Sequence, residues 1–383
     1  VIPVIHAITP GDHYSPRTGS AVPTVVDGLA RAAERDPDGG RQSVAIDAST
    51  FRPRYPSAEI VEYVGTGAPS GRERAIELGL ARLGMPRSAT RRYWAPQADA
   101  IAARPPSIVL AHNAPILPEL LRGTGHRVVL YAHNELLRTM SRAEMRRSLG
   151  EVAAIVCVSE ALAASYRAQL PPELAERVHV VVNGVDAERF APADARPVGP
   201  LRVRFVGRMI PDKGAETLVR AARRLDRADV EVVLVGSRGF AAGDDLSDYE
   251  RGLRDLAGDA PGIRFEPFVD RDALPALLAS ADVFVVPSQW ADPCPLTIGE
   301  GMASGAAVVA SRVGGIPELL GDAGVLVEPG DADALADVIA GLADDRERLG
   351  ALQRAARERA LAHDWGWSWT TLRGILESAL DPA

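Results

Sequence analysis

The sequence predicts an α/β protein built from two doubly wound, Rossmann-like domains. Three observations carry that expectation. The chain has 383 residues, the length of two ordinary domains. Apolar runs of strand length alternate with helical stretches through both halves, the rhythm of parallel β–α units. A Pro- and Ala-rich run, Ala191 to Pro200, reads as the linker between them. The expected domains are 1–187 and 188–364, with a last helix over 365–383.

Composition narrows the function classes. Hydrophobic residues make up 46% of the chain, enough for two cores. The net charge is −8 and the pI about 5.5, so there is no basic footprint for nucleic acid. The longest apolar runs fall far short of the ~20 residues of a membrane helix. No secretory signal pattern opens the sequence, and a first residue of Val1 implies that an initiator Met precedes it. The only cysteines, Cys157 and Cys294, lie far apart and form no metal or disulfide pattern. A reduced, cytoplasmic setting is expected. Of the 43 basic residues a single one is lysine, Lys213. In a chain biased so strongly to arginine, a surviving lysine marks its loop.

Taken in order, Pro3 to Thr9 reads as the first strand. The loop Pro10 to Ser20, with Tyr14 and Gly19, then leads into a helix from Val22 to Arg35. A strand feeding a glycine-bearing loop and a helix N-terminus is a ligand-approach geometry. Strands follow at Ser43 to Ala48 and Glu59 to Val64. The stretch Gly65-Thr66-Gly67-Ala68-Pro69-Ser70-Gly71 looks like a dinucleotide fingerprint, but its spacing is wrong and no acid follows ~20 residues on, so it reads as a turn. Arg87, Arg91 and Arg92 suit a solvated face, or an anionic acceptor or membrane surface. The strand Ile108 to Ala111 ends at His112-Asn113, and Val128 to Ala132 ends at His133-Asn134-Glu135. Both histidines are thereby placed at the carboxyl edge of a parallel sheet. Strands at Ala154 to Val158 and Val178 to Val182 complete the first half.

The second half has strands at Leu201 to Val206, Val230 to Val235, Ile263 to Phe265, Val283 to Val286, Ala307 to Ala310 and Gly324 to Val327. Asp331-Ala332-Asp333 has the look of a metal-binding DxD, yet it follows Pro329-Gly330 and opens a helix, so capping explains it better. After Val283 to Val286 comes Asp292-Pro293-Cys294-Pro295-Leu296-Thr297-Ile298-Gly299-Glu300. Pro295 fits the first turn of a helix, which Gly305 stops. The free N–H groups of Leu296 and Thr297 favour an anion. Glu300 can accept two adjacent hydroxyls, such as a ribose diol offers. The plainer alternative is a capping acid at 292 and an exposed helical glutamate at 300. After Leu201 to Val206 comes Gly207-Arg208-Met209-Ile210-Pro211-Asp212-Lys213-Gly214.

Together, the Asp292…Glu300 pair, with seven residues between the acids, and the GR…KG loop resemble glycosyltransferase family 4. The resemblance covers nearly the whole chain and is clearest from Val180 to Pro329. One departure sits at its centre: the first acid is usually Glu, and here it is Asp292. The resemblance implies a GT-B fold, with two domains facing a central cleft and the final helix crossing back to the N-terminal domain. Trp365, Trp367 and Trp369 would then anchor that helix. It implies a retaining transfer of a hexose from a nucleotide diphosphate sugar, with UDP or GDP expected, to a hydroxyl of a polysaccharide, glycolipid or small natural product. Neither a metal nor a further cofactor is expected.

Under that reading His133, Arg208, Lys213, Asp292 and Glu300 form the catalytic set. Arg208 and Lys213 take the phosphate charge, Asp292 the donor sugar and Glu300 the ribose. Gly19, Gly207, Gly236, Ser237, Phe268, Val269, Cys294, Pro295, Leu296 and Thr297 complete the donor site. Tyr14, His112, His133 and Asn134 face the acceptor. The alternatives are an epimerase or phosphorylase on the same scaffold, or a non-catalytic nucleotide-sugar binder. A monomer or homodimer is expected, and peripheral contact with the inner membrane face is compatible with the sequence.

Overall fold

The computed structural model describes residues 3–17, 19–82, 85–193, 199–239, 245–260 and 262–380. The linker residues 194–198 lie outside these. The chain forms two compact units, one from residues up to Asn183 together with those from Trp365 onward, the other from Gly184 to Asp364.

The first unit is built on strands β1 (Val4–Ala7), β2 (Gln42–Asp47), β3 (Glu59–Tyr63), β4 (Ile108–His112), β5 (Arg127–Ala132), β6 (Ala154–Cys157) and β7 (Val178–Val180). They form one sheet in the order β3-β2-β1-β4-β5-β6-β7. Every described pairing in it is parallel. The order reverses between β1 and β4, which makes their carboxyl ends the topological switch point. The C-terminal helix Trp365–Leu380 belongs to this unit. Trp369 is buried there, and its indole N–H donates to Asp36 Oδ2 at 2.8 Å. A side chain at Gly28 would collide with the ring of Trp365, so glycine lets the helix Ala21–Arg35 approach closely. Trp367, by contrast, is 37% exposed. The spacing of one helical turn that suits Trp365 and Trp369 turns residue 367 to the other side.

The second unit has strands β8 (Leu201–Val206), β9 (Val230–Val235), β10 (Ile263–Glu266), β11 (Val283–Val286), β12 (Ala307–Ser311) and β13 (Gly324–Val327). Their order is β10-β9-β8-β11-β12-β13, with the reversal between β8 and β11. Period-two alternation feeds two cores. Val203, Val232, Val283, Val285 and Val309 go to one face, and Phe284, Val286, Val308 and Ala310 to the other. Both faces being apolar, the strands read as continuous Val- and Ala-rich runs, as a helix-covered parallel sheet requires.

Candidate active site

In the second unit, the loops leaving the carboxyl ends of the strands are tied together by backbone contacts. The loop after β8 runs through a short 3-10 turn, Pro211–Lys213, into the helix Ala215–Leu225. It is held to the loop after β9 by Met209 N–H donating to Ser237 O at 3.0 Å. Gly236 adopts φ +142°, and a side chain there would fall on the carbonyl of Gly207. Only glycine lets these two strand ends meet. Ser237 Oγ in turn accepts from Phe268 N–H at 3.3 Å, fixing the loop after β10. The loop after β11 joins the GR…KG loop where Gln289 N–H donates to Asp212 O at 2.8 Å. Gly314, at φ +60°, packs on the backbone of Ala291 and Asp292, and Gly315 N–H donates to Asp292 O at 3.0 Å.

Across the β8/β11 switch point the two motifs touch. Lys213 Nζ donates to Asp292 Oδ2 at 2.5 Å, with the lysine side chain 25% exposed and the aspartate 9%. Lys213 Nζ also lies 5.6 Å from the ring centre of Trp290. Arg208 is exposed and has no ion-pair partner among the described residues. Asp292 does not cap a helix, because the N-cap is Pro295, one residue before the helix Leu296–Ala303. The expectation that Pro295 lies within the first turn is therefore corrected by one position. Its extended ψ of 118° places it outside the helix, and the amides of Leu296 and Thr297 open the first turn.

Glu300 is not an exposed helical glutamate. It is 3% exposed, and Oε1 accepts from Arg271 Nη2 at 2.6 Å. Oε2 is buried with no partner. An unpaired buried carboxylate oxygen is costly, and a ligand hydroxyl would relieve that cost. Cys294 is buried and forms no disulfide. Asp331 caps the helix Ala332–Asp344 by accepting from Ala334 N–H at 2.8 Å, and Asp333 pairs with Arg224 at 3.2 Å. Among the described residues, no group of three or more His, Cys, Asp or Glu is arranged to hold a metal ion.

In the first unit the residues expected to face an acceptor separate. Asn134 is exposed. Tyr14 is fully buried and its hydroxyl is 2.7 Å from Ser57 Oγ, so the contact role expected for it is withdrawn. The loop that carries it folds inward, because Tyr14 packs with Val22, Val26 and Tyr55 as part of a core. His112 is also fully buried, so it cannot line an acceptor pocket. It sits between His6 Nδ1, 3.0 Å from its Nε2, and His133 Nε2, 2.8 Å from its Nδ1. Gly19 lies in irregular, half-buried chain just before the helix Ala21–Arg35. Arg87, Arg91 and Arg92 each have a carboxylate partner, in Glu144, Glu119 and Glu73. Arg87 is largely buried, so the expected solvated face fails there, whereas Arg92 is exposed as expected.

Burial lowers the pKa of all three linked histidines. That of His6 falls to about 4, with Gln42 opposing the shift, and that of His133 falls to about 3. His112 is pushed well below the ordinary value by burial and then by the two neighbouring rings. All three are therefore neutral near pH 7.

Two family patterns cover most of the chain. Residues 24–189 match the family described as Glycosyltransferase Family 4, and residues 200–345 match Glycosyl transferases group 1. The chain belongs to glycosyltransferase family 4. Among curated members, it is 35% identical over 222 residues to the D-inositol 3-phosphate glycosyltransferase 1 of Catenulispora acidiphila, covering 54% of this chain and 53% of that one. It is 38% identical over 195 residues to the phosphatidyl-myo-inositol mannosyltransferase of Mycolicibacterium smegmatis, covering 48% of each. The chain thus spans about half the length of these curated relatives. Among solved structures, Anabaena Alr3699/HepE in complex with UDP superposes with TM-score 0.73 at 18% identity, covering 99% of this chain and 100% of that one. Sucrose-phosphate synthase from Thermosynechococcus elongatus gives 0.70 at 19% identity, covering 99% of each. The two Rossmann-like units of this family 4 member are those of the GT-B fold.

Sequence reasoning passed over Arg271, Gln289, the Gly314-Gly315 turn, and His6 with Gln42. The glycine pair after a strand, and a histidine inside an apolar strand, were the available signals.

Proposed function

We propose that this family 4 member is a retaining glycosyltransferase that moves a hexose from a nucleotide diphosphate sugar to a hydroxyl acceptor. The observation that carries the reading is Glu300. Its buried carboxylate is held by Arg271 on one oxygen and unpaired on the other, in the unit where Lys213 meets Asp292. A ribose diol supplies the donors that Glu300 Oε2 lacks. Arg208 and Lys213 take the diphosphate charge, one as a fixed fork and the other as a mobile point charge. The amides of Leu296 and Thr297 add the electropositive end of a helix. Backbone at Gly236, Ser237, Phe268 and Val269 seats the base. Asp292 reads hydroxyls of the transferred sugar, and it is released from Lys213 as the lysine turns to phosphate. UDP, named in the HepE complex, and GDP are the expected nucleotides.

In the transfer step the bond from the anomeric carbon to the β-phosphate oxygen breaks. The acceptor oxygen bonds to the same face of that carbon, and the acceptor proton passes to the departing phosphate. The leaving charge is met by Arg208, Lys213 and amide N–H groups, so the step proceeds in EDTA.

The test is a panel of UDP-, GDP-, ADP- and TDP-hexoses incubated with the protein in EDTA, with products read by NMR. Release of one nucleoside diphosphate with retained anomeric configuration is expected. Epimer formation, inversion, or a strict need for added Mg²⁺ or Mn²⁺ would overturn it.

A further inference from the structure

His6, His112 and His133 stand on three neighbouring strands or their ends and form one hydrogen-bonded row in the first unit. At its inner end His6 Nε2 is 3.0 Å from Gln42 Oε1. The orientation of that amide is fixed, because Gln42 Nε2 donates to the carbonyls of Gly39 at 2.8 Å and Gly40 at 3.3 Å. Gln42 Oε1 can therefore only accept, and His6 must carry its hydrogen on Nε2. In a neutral ring Nδ1 of His6 is then bare and accepts from His112 Nε2–H. By the same logic His112 Nδ1 accepts from His133 Nε2–H. The row has one polarity, and it ends on His133 Nδ1.

His133 is the sole member of the row with residual surface, at 8%, against 0% for His6 and His112. Its Nδ1 has no partner among the described residues. The ring is held from several sides. It stacks on Tyr131 at 4.8 Å and on His112 at 5.1 Å. Its backbone N–H donates at 2.8 Å to the side chain of Asn113, a residue that takes φ +53°.

We propose that Gln42, acting through His6 and His112, fixes His133 as the Nε2–H tautomer, so that its Nδ1 serves only as a hydrogen-bond acceptor for a hydroxyl of a bound ligand. Gln42, His6 and His112 are then positioning residues. The row selects a group that can donate, such as a sugar hydroxyl, over an ether, a fluorine or a carbonyl in the same place. That ligand class rests on the glycosyl-transfer reading, whereas the tautomer does not.

The experiment is imidazole ¹⁵N NMR of the full chain without ligand, from pH 5 to 8, on the wild type, Gln42→Glu and Gln42→Met. In the wild type, His133 Nδ1 should show the shift of a bare ring nitrogen throughout that range. Glu at 42 preserves the acceptor but adds a negative charge that invites a proton onto the row. His133 should then titrate within the range although it does not touch residue 42. Met removes the acceptor, and His133 should become a mixture of both tautomers. A hydrogen on His133 Nδ1 in the wild type would overturn the proposal. So would a His133 signal unchanged by both substitutions in chains that keep their fold. If the tautomer is as stated and no sugar nucleotide binds, the functional reading falls and the row stands.

Discussion

The buried histidine row makes stability depend steeply on pH above the range where carboxylates titrate. Unfolded histidine takes up a proton near pH 6.5. In the folded first unit His6 and His133 are held at about 4 and about 3, and His112 well below its ordinary value. The folded pKa values are depressed, so the unfolded state binds more protons below pH 6.5. Stability is complete above that pH and is lost as the pH falls toward the folded values. Each such group costs about 1.4 kcal/mol per pH unit below 6.5. For the row, moving from pH 7.5 to 5.5 should remove about 4 kcal/mol, a large part of the roughly 5–15 kcal/mol typical of a domain. Urea unfolding followed by tryptophan fluorescence reads the right unit, because Trp94, Trp365, Trp367 and Trp369 belong to it and Trp290 to the other. A loss below about 1 kcal/mol between these pH values would refute neutral, buried rings.

Three further outcomes follow from the second unit. Lys213→Ala and Arg208→Ala should each lower turnover by ~10²-fold in steady-state assay, the scale of losing one charge-stabilising donor. Melting temperature should stay near wild type in Arg208→Ala, whose side chain is exposed, and fall in Lys213→Ala, which leaves the buried Asp292 carboxylate without its ion-pair partner. Asp292→Asn should cost more than Asp292→Glu, because a carboxylate accepts stronger hydrogen bonds from hydroxyls than an amide oxygen does. It should weaken the sugar nucleotide more than the nucleoside diphosphate, and equal weakening of both in titration calorimetry would show that Asp292 does not read the sugar. Gly236→Ala should weaken nucleotide binding by at least ~10-fold, since backbone displacement strains a conformation of this kind by about 1–3 kcal/mol. An unchanged dissociation constant would mean that the Gly207 and Gly236 strand ends do not shape the site.

Sheet strands were the most legible part of the chain. Leu201–Val206, Val230–Val235, Val283–Val286 and Gly324–Val327 coincide with the apolar runs that announced them. Strands covered on both faces must be apolar throughout, and turn residues bound them sharply. The GR…KG loop and the Asp292…Glu300 stretch could be placed at strand ends for the same reason. Partners were not legible. Arg271 meets Glu300 across 29 positions, and no local pattern announces such a pair. Burial of single polar residues was equally hidden. Tyr14 read as a loop residue because Gly and Pro surround it, and the inward fold of that loop is a tertiary effect. His112 was placed correctly at a strand end, but its depth depends on His6 in a strand more than a hundred positions away.

The most direct test of a nucleotide-sugar donor site is titration calorimetry of UDP and GDP into the wild type and Glu300→Gln. Gln keeps the size of the side chain but loses the charge that pairs with Arg271 and the strong acceptor left open at Oε2. Binding of at least one nucleotide by the wild type, weakened by at least ~10-fold in Glu300→Gln, is the expected result, on the scale of one charge-assisted hydrogen-bond contact. Equal affinity in the two proteins, or no binding of either nucleotide at millimolar concentration, would contradict the account.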